Sequence, residues 1–448
     1  MTIDHLAKGL AFAFLAGTWT EGELVARGRV ALGYRPRVRT RWLRQLVRRM
    51  LVAFPTAPVD RDEELARTLV GDRGLRGATW FGRASPARVR RWLIPTATML
   101  EVSGPPAGFR IPSIPSPADL AAALGLGHGE LAWLADERRM NARAADAKLS
   151  HYHRRWVPKS GGGWRLLEAP KPLLKRIQRW LLDEVLSGIP VSDVAHGFVP
   201  GRSVRTFVAP HVGRRVVVRM DLEDFFASVS RARVVALFRR VGYPRPVAVI
   251  LAGLCTAPTP ERVLTEHPRG TADLGRRFLA NARLRDAHLP QGAPTSPAIS
   301  NLAAWRLDRR LSALASGFGA TMTRYADDLA FSGDKTFEMS VRFFVARVGA
   351  IAIDEGFGVN HRKTRVMRQG QRQTLCGVVV NDTANLPRRE RDRMRATLFN
   401  VARFGLESQN RDGLPDFRRH LEGRVAWAVA LNPSLGRRLR DLLGTHSV

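Results

Sequence analysis

Two cysteines in 448 residues, Cys255 and Cys376, cannot build a disulfide framework, which points to a reducing, cytoplasmic compartment. No apolar run approaches the roughly 18 residues a spanning helix needs, so no membrane role of that kind is expected. The stretch Leu10–Ala16 has the apolar character of a signal-peptide core. It is short, however, and Asp4 stands where a leader carries positive charge, so a buried helix is the expected reading. Acids are scarce: 40 Asp and Glu face 72 Lys and Arg, a net charge of +32. Residues 1–150 hold 23 basic and 14 acidic side chains (+9), and the remainder holds 49 and 26 (+23). A surplus spread this widely suits a long polyanion better than one small acidic ligand. Lysine is rarer still, at seven residues, so arginine carries the surplus. What is present in ordinary measure is globular composition, 45% apolar and 25% charged, which excludes a mainly disordered chain.

Residues 1–102 read as a basic helical extension. Arg35, Arg37, Arg39, Arg41, Arg44, Arg48 and Arg49 cluster there, and Leu43, Leu46, Val47 and Met50 recur at helical spacing with Arg41, Arg44 and Arg48 on another face. That face is either a phosphate contact or a solvated surface. Residues 103–150 read as a proline-rich linker and a helical lead-in, with Ser116 as N-cap, Pro117 in the first turn and Asp119 three residues on. From 151 strands mix with helices. Residues 173–186 form an amphipathic helix, 215–220 (RVVVRM) a short buried strand, and 320–332 (ATMTRYADDLAFS) two strands around a tight turn. After 381 the chain is again helical and arginine-rich.

Chemistry concentrates in carboxylates. Asp221 ends the strand RVVVRM, and Asp327 and Asp328 sit at the hairpin tip. An isolated Asp-Asp pair is usually an ordinary turn. Adjacent acids between apolar strands repel, however, and divalent cations relieve that repulsion; Mg²⁺ favours carboxylates together with substrate phosphates. Two such ions serve in-line phosphoryl transfer. PKSGGGWR places Lys159 and Arg165 at the two ends of a Gly-rich hairpin. That arrangement suits a triphosphate, although two solvated charges on a surface hairpin would look the same.

Taken in order, AHGFVPGRS (195–203), DLEDFF (221–226), QGAPTSP (291–297) and MTRYADD (322–328) resemble the reverse transcriptase family. The likeness is closest to the bacterial retron-type enzymes, with group II intron enzymes as cousins, and spans roughly residues 116–448. It implies an α+β right-hand polymerase with fingers, a ferredoxin-like palm, a helical thumb and the helical N-terminal extension. The fingers would be 151–213 and 245–290, the palm 214–244 and 291–380, and the thumb 381–448.

The resemblance also implies roles. Asp221, Asp327 and Asp328 would hold two Mg²⁺ ions, with Leu222 lending a backbone carbonyl. Phe226 would be the aromatic gate beneath the sugar that selects deoxynucleotides, with Phe225 in the core. Gln291 and Gly292 would contact the incoming nucleotide, and Lys159 and Arg165 its phosphates. Lys363, in NHRKTRV, would be the general acid near the departing pyrophosphate, because lysine can give up a proton near neutrality and arginine cannot. TLCGVVVN (374–381) would grip the primer end. Arg388, Arg389, Arg391, Arg393 and Arg395 would track a duplex, joined by Arg41, Arg44 and Arg48 if the N-terminal face binds RNA.

Two elements depart from the retron pattern. Where those enzymes show NAxxH, this chain has Phe207, Val208, Ala209, Pro210 and His211; where they show VTG, it has Leu375, Cys376 and Gly377. The expected partners are a dedicated non-coding RNA, its cDNA, deoxynucleoside triphosphates and a toxin or effector protein, with no membrane, in a retron-like anti-phage setting. Two alternatives stand beside this reading. One is an RNA-binding scaffold that works without synthesis. The other is a maturase-like enzyme, disfavoured by the lack of an endonuclease-like tail after 448. His151 and His153, His196 and the tryptophans read as structural.

Overall fold

The computed structural model describes residues 2–444 apart from 36–37, 39, 60, 80–86, 101, 103–108, 110, 141–148, 160–162 and 269–273. Arg37, Arg39, much of the expected linker and the tip of the Gly-rich hairpin therefore lie outside the described residues. The chain forms two compact units. The first comprises Met1–Glu101, Ser113–Leu120 and Gly242–Val247; the second comprises Val102–Pro112, Ala121–Val241 and Ala248–Val448.

The first unit is helical. Leu6, Leu10 and Phe14 of helix Ile3–Leu15 bury against Leu24, Leu43, Leu46, Val47, Leu65 and Leu69 from the helices that follow. The apolar stretch at Leu10–Ala16 is thus core, as its composition suggested. Helix Arg41–Ala53 buries Leu43, Leu46, Val47 and Met50, the four expected positions. Asp72 organises the next junction: its carboxylate accepts from the backbone of Gly74 and Leu75, capping helix Arg73–Thr79, and from Arg49 at 2.6 and 2.9 Å. Helix Pro117–Leu124 starts where expected, with Ser116 Oγ donating to Asp119 at 2.6 Å.

In the second unit β1 (Tyr152–Pro158) and β2 (Trp164–Pro170) form an antiparallel hairpin. The helix expected over 173–186 is α-helical only to Trp180; Leu181–Leu186 is a π-helix. Its wider turn brings Leu181, Val185 and Leu186 together on the buried side. The central sheet holds β3 (Val216–Glu223), β4 (Ala320–Tyr325), β5 (Asp328–Gly333), β6 (Gly358–Val359) and β7 (Arg365–Arg368), all antiparallel. Its order is β4-β5-β3-β6, with β7 also pairing β3. β3 extends past the six residues RVVVRM because Leu222 and Glu223 pair with β6. Apolar residues run along it without alternation, as in a strand covered on both faces. One cover is helix Lys335–Asp354, whose Phe344 packs edge-on against Phe331 and Phe337 at 4.9 Å.

The hairpin β8 (Thr374–Leu375) and β9 (Val378–Val379) turns through Cys376 (φ 44°) and Gly377 (φ 80°). Leu375, Val378 and Val380 then pack with Met394, Leu398, Leu421 and Val425 of helices Arg388–Phe404 and Phe417–Leu431.

Candidate functional site

β3 and β5 are neighbours, and their register sets Asp221 directly across from Asp328. Tyr325 pairs with Asp328, so Ala326 and Asp327 form a two-residue loop at the tip. The Leu222 amide donates to the Asp327 carbonyl at 2.9 Å and the Asn360 amide to the Asp221 carbonyl at 2.7 Å. The three acids thus occupy one end of the sheet, fixed by main-chain bonds.

Each carboxylate has its own surroundings. Asp221 is buried, and Lys363 Nζ donates to both its oxygens, at 2.9 and 3.1 Å. Lys363 reaches it from the turn after β6, its own side chain 59% exposed. Asp328 takes Nε and Nη2 of Arg219 at 2.9 and 2.8 Å, and Cys376 Sγ donates to it at 3.4 Å. Arg219 is two residues before Asp221 on the same strand and so shares its face. Asp327 is pushed above the usual carboxylate range by burial first, then by the charges of Asp328 and Asp221.

The tip is braced from beneath. Arg324, fully buried, makes two bonds to Asp308 at 2.6 and 2.7 Å and one to Asn301 at 2.9 Å, and its Nη1 donates to the Ala326 carbonyl at 3.1 Å. Asn301 in turn donates to the Gly197 carbonyl at 2.9 Å. A Cβ at Gly197 would come within 2.6 Å of the Ala326 nitrogen, so only glycine lets the AHGF segment reach the tip. Behind, His211 is buried between Thr323 Oγ1 and Ser332 Oγ, both at 2.7 Å, and fastens β4 to β5. Thr323 Oγ1 donates to the Phe207 carbonyl, which leaves it to accept from His211 Nε2. His211 is the one residue of the expected NAxxH pattern that this chain keeps, and its position is structural.

Of the remaining candidates, Phe226 is half-buried with its ring 6.2 Å from Phe198, whereas Phe225 is buried and stacks on Phe357. The Gln291 carbonyl accepts from the Glu168 amide of β2 at 2.8 Å, and Gly292 (φ 125°) sits where a Cβ would approach the Glu168 carbonyl at 3.2 Å. The QG segment is thereby tied to the hairpin that carries Lys159 and Arg165, both exposed. Glu168 itself is buried and accepts from Arg154 at 2.8 Å and Thr259 at 3.0 Å, and meets His288 at 2.9 Å. Burial alone would raise it, but His288 and Arg154 outweigh burial and hold it at about 2.

Arg388, Arg389, Arg393 and Arg395 are exposed on helix Arg388–Phe404, while Arg391 is half-buried on the side of Met394. Arg41, Arg44 and Arg48 belong to the first unit; all three are exposed, and Glu21 pairs with Arg48 at 3.0 Å and Arg44 at 3.9 Å. The sequence reading missed Arg219, Arg324 and the Glu168–Arg154–His288 cluster.

Residues 157–384 match the family model described as reverse transcriptase (RNA-dependent DNA polymerase), a span that includes all three acids and Lys363. The retron Mx65 reverse transcriptase of Myxococcus xanthus is 44% identical over 334 residues, covering 74% of this chain and 72% of that one. The chain belongs to the retron reverse transcriptases. The retron Mx162 reverse transcriptase of the same organism is 39% identical over 332 residues, covering 71% of this chain and 64% of that protein. A solved telomerase from Candida albicans matches with a TM-score of 0.34 at 10% identity, covering 63% of this chain and 54% of that one, which is too distant to add to the assignment.

This retron reverse transcriptase is thus an RNA-dependent DNA polymerase, with an RNA template and deoxynucleoside triphosphates as substrates. The family implies a divalent metal. Among the described residues no group of three His, Cys, Asp or Glu side chains is gathered to hold one, and Lys363 and Arg219 engage two of the acids. The chemistry nonetheless fits: the donors are hard carboxylate oxygens, and the repulsion felt by Asp327 is what a divalent cation relieves. Among the described residues no helix is long and apolar enough to cross a membrane.

Proposed function

We propose that this chain copies a dedicated non-coding RNA into DNA by two-metal nucleotidyl transfer, within a retron-like anti-phage system. The reaction adds a deoxynucleotide to a 3′-hydroxyl and releases pyrophosphate. The observation that carries the mechanism is the register of β3 on β5, which sets Asp221 opposite Asp328 with Asp327 at the intervening tip.

Asp221 and Asp327, with the Leu222 carbonyl, would hold the Mg²⁺ ions; Asp328, already bound by Arg219, would shape the site and contribute charge. When bound, the ions supply charge neutralisation at the phosphates and a nucleophilic 3′-oxygen. The chain's own residues do the rest. Lys363 carries at Nζ a proton that pyrophosphate can accept. Phe226 blocks a 2′-hydroxyl, and Gln291 and Gly292 seat the nucleotide. Lys159 and Arg165 meet its triphosphate from the β1–β2 hairpin, which the Glu168–Gln291 bond couples to that seat. The β8–β9 turn, packed on helix Arg388–Phe404, would hold the primer end, and Arg388, Arg389 and Arg395 the duplex backbone. On this reading the fingers are 151–213 and 245–290, the palm 214–244 and 291–380, and the thumb 381–448.

Primer extension on an RNA template tests it. Asp221→Asn and Asp327→Asn preserve shape and remove one charge each. Each should cut incorporation by on the order of 10²–10³-fold or more. Incorporation near the wild-type rate in either variant overturns the assignment. Phage protection that survives both substitutions would mean that the protein acts as a scaffold.

A further inference from the structure

Helix Lys335–Asp354 has two apolar sides. Phe337, Phe344 and Val348 face the sheet and are buried. Met339, Phe343, Ala346, Ala350 and Ile353 are exposed, with Met339 at 72%, Phe343 at 75% and Ile353 at 71%. At 100° per residue these five centre on the side opposite the core. Their spacing of four, three, four and three residues is the repeat of a helix-pairing seam. The seam runs about 21 Å at 1.5 Å per residue. Its middle is small, alanine at 346 and 350, with larger side chains toward both ends, so a second helix can approach closely. A contiguous exposed apolar strip of this kind marks an interaction surface.

Charge beside the seam defines the occupant. Arg342 on one flank and Arg347 on the other are exposed. The nearby acids are engaged: Glu338 by Arg215 and Arg368 at 2.6 and 3.0 Å, and Asp354 by Arg310 at 3.0 Å. The flanks therefore present positive charge. A second copy would set these arginines against each other and bring together two chains of net charge +32. RNA phosphates would gain nothing from an apolar seam. We propose that this face docks an amphipathic helix of another protein, apolar along one seam and rich in Glu and Asp on its flanks. The proposal does not depend on the assignment of the polymerase residues.

The test uses the full chain and two synthetic 21-residue helical peptides, each with Leu along the seam and either Glu or Lys on the flanks. Fluorescence anisotropy in 0.15 M salt should show saturable binding of the Glu peptide and at least tenfold weaker binding of the Lys peptide. The double variant Met339→Ser/Phe343→Ser should bind the Glu peptide at least tenfold more weakly, with unchanged melting and primer extension. Arg342→Glu/Arg347→Glu should reverse the preference between peptides. Absence of binding, indifference to flank charge, or undiminished binding by the serine variant overturns the proposal. So does a wild-type dimer in sedimentation that the serine variant dissolves, which would give the seam to a second copy.

Discussion

His211 makes the fold acid-labile at the hairpin that carries Asp327 and Asp328. Its ring is buried, and burial first, then the charges of Arg214 and His196, push it down to about 3 from an ordinary 6.5. A depressed folded value means that the imidazole is neutral in the native state and protonates more readily on unfolding. Its full contribution to stability is therefore present above pH 6.5 and is lost as pH falls toward 3. At pH 5 the loss is about 1.5 pH units, or roughly 2 kcal/mol at 1.36 kcal/mol per unit. His211→Gln removes this titration while keeping one donor and one acceptor for Thr323 and Ser332. At pH 7.5 the variant should melt below wild type, since the amide fits two hydroxyls placed for an imidazole less well, a cost of about 1 kcal/mol per weakened bond. Between pH 7.5 and 5.0 the gap should move in the variant's favour by about 2 kcal/mol, a few degrees in melting temperature for a unit of this size. Because other titrating groups are common to both proteins, the difference isolates His211. A gap that stays constant between the two pH values would refute the reasoning.

Variants at three further sites have expected outcomes. Lys363→Met should lower kcat by about 10²–10⁴-fold in single-turnover extension, with a loss of melting stability smaller than that of a fully buried pair, because Lys363 is 59% exposed although its partner Asp221 is buried. Lys363→Arg should fail to restore the rate, since arginine keeps its proton. Phe226→Ala should raise ribonucleotide incorporation relative to deoxynucleotide by about tenfold or more in competition assays. Arg324→Leu leaves Asp308 buried and unpaired and should cost about 3–5 kcal/mol in thermal melts. Arg324→Leu/Asp308→Leu should recover much of that stability without recovering polymerase rate, because the Ala326 carbonyl still lacks its donor.

The parts of the site legible in the sequence are those set by local rules. The turn at YADD and the strand before DLEDFF follow from apolar runs broken by acids, and the register that joins them completes the pairing. Helix Arg41–Ala53 follows from its four periodic apolar residues. Two further features were within reach. Arg219 shares a strand face with Asp221 because it is two residues away, and Arg391 shares a helix face with Met394 and Leu398 at spacings of three and seven. Arg324 was not legible. It lies on β4, its partners Asp308 and Asn301 belong to helices Trp305–Gly317 and Ser296–Ala303, and nothing local distinguishes it from the other arginines. The same holds for Glu168, which meets His288 only once the chain has folded. The π-helical end of the 172–186 helix likewise has no marker in the sequence.

The neutralisation pattern gives the three acids unequal standing. Asp221 has a lysine at hydrogen-bond distance and Asp328 an arginine in two-point contact. Asp327 sits at the tip with burial and two like charges acting on it. Arg219 sits on the strand paired with that of Asp328 and sets Nε and Nη2 on the single oxygen Oδ1, so strand geometry fixes the contact. A lysine on an exposed turn is a single point charge on a flexible stem, and it can yield its place at small cost. On the proposed reading Asp328 would stay with Arg219 and hold the tip in position, while Asp221 and Asp327 would be the residues to hold metal, which would supply the charge neutralisation that burial and two neighbouring carboxylates call for at Asp327. Removing Arg219 should therefore disturb the geometry of the tip, whereas removing Lys363 should leave the tip in place and change only the chemistry at Asp221.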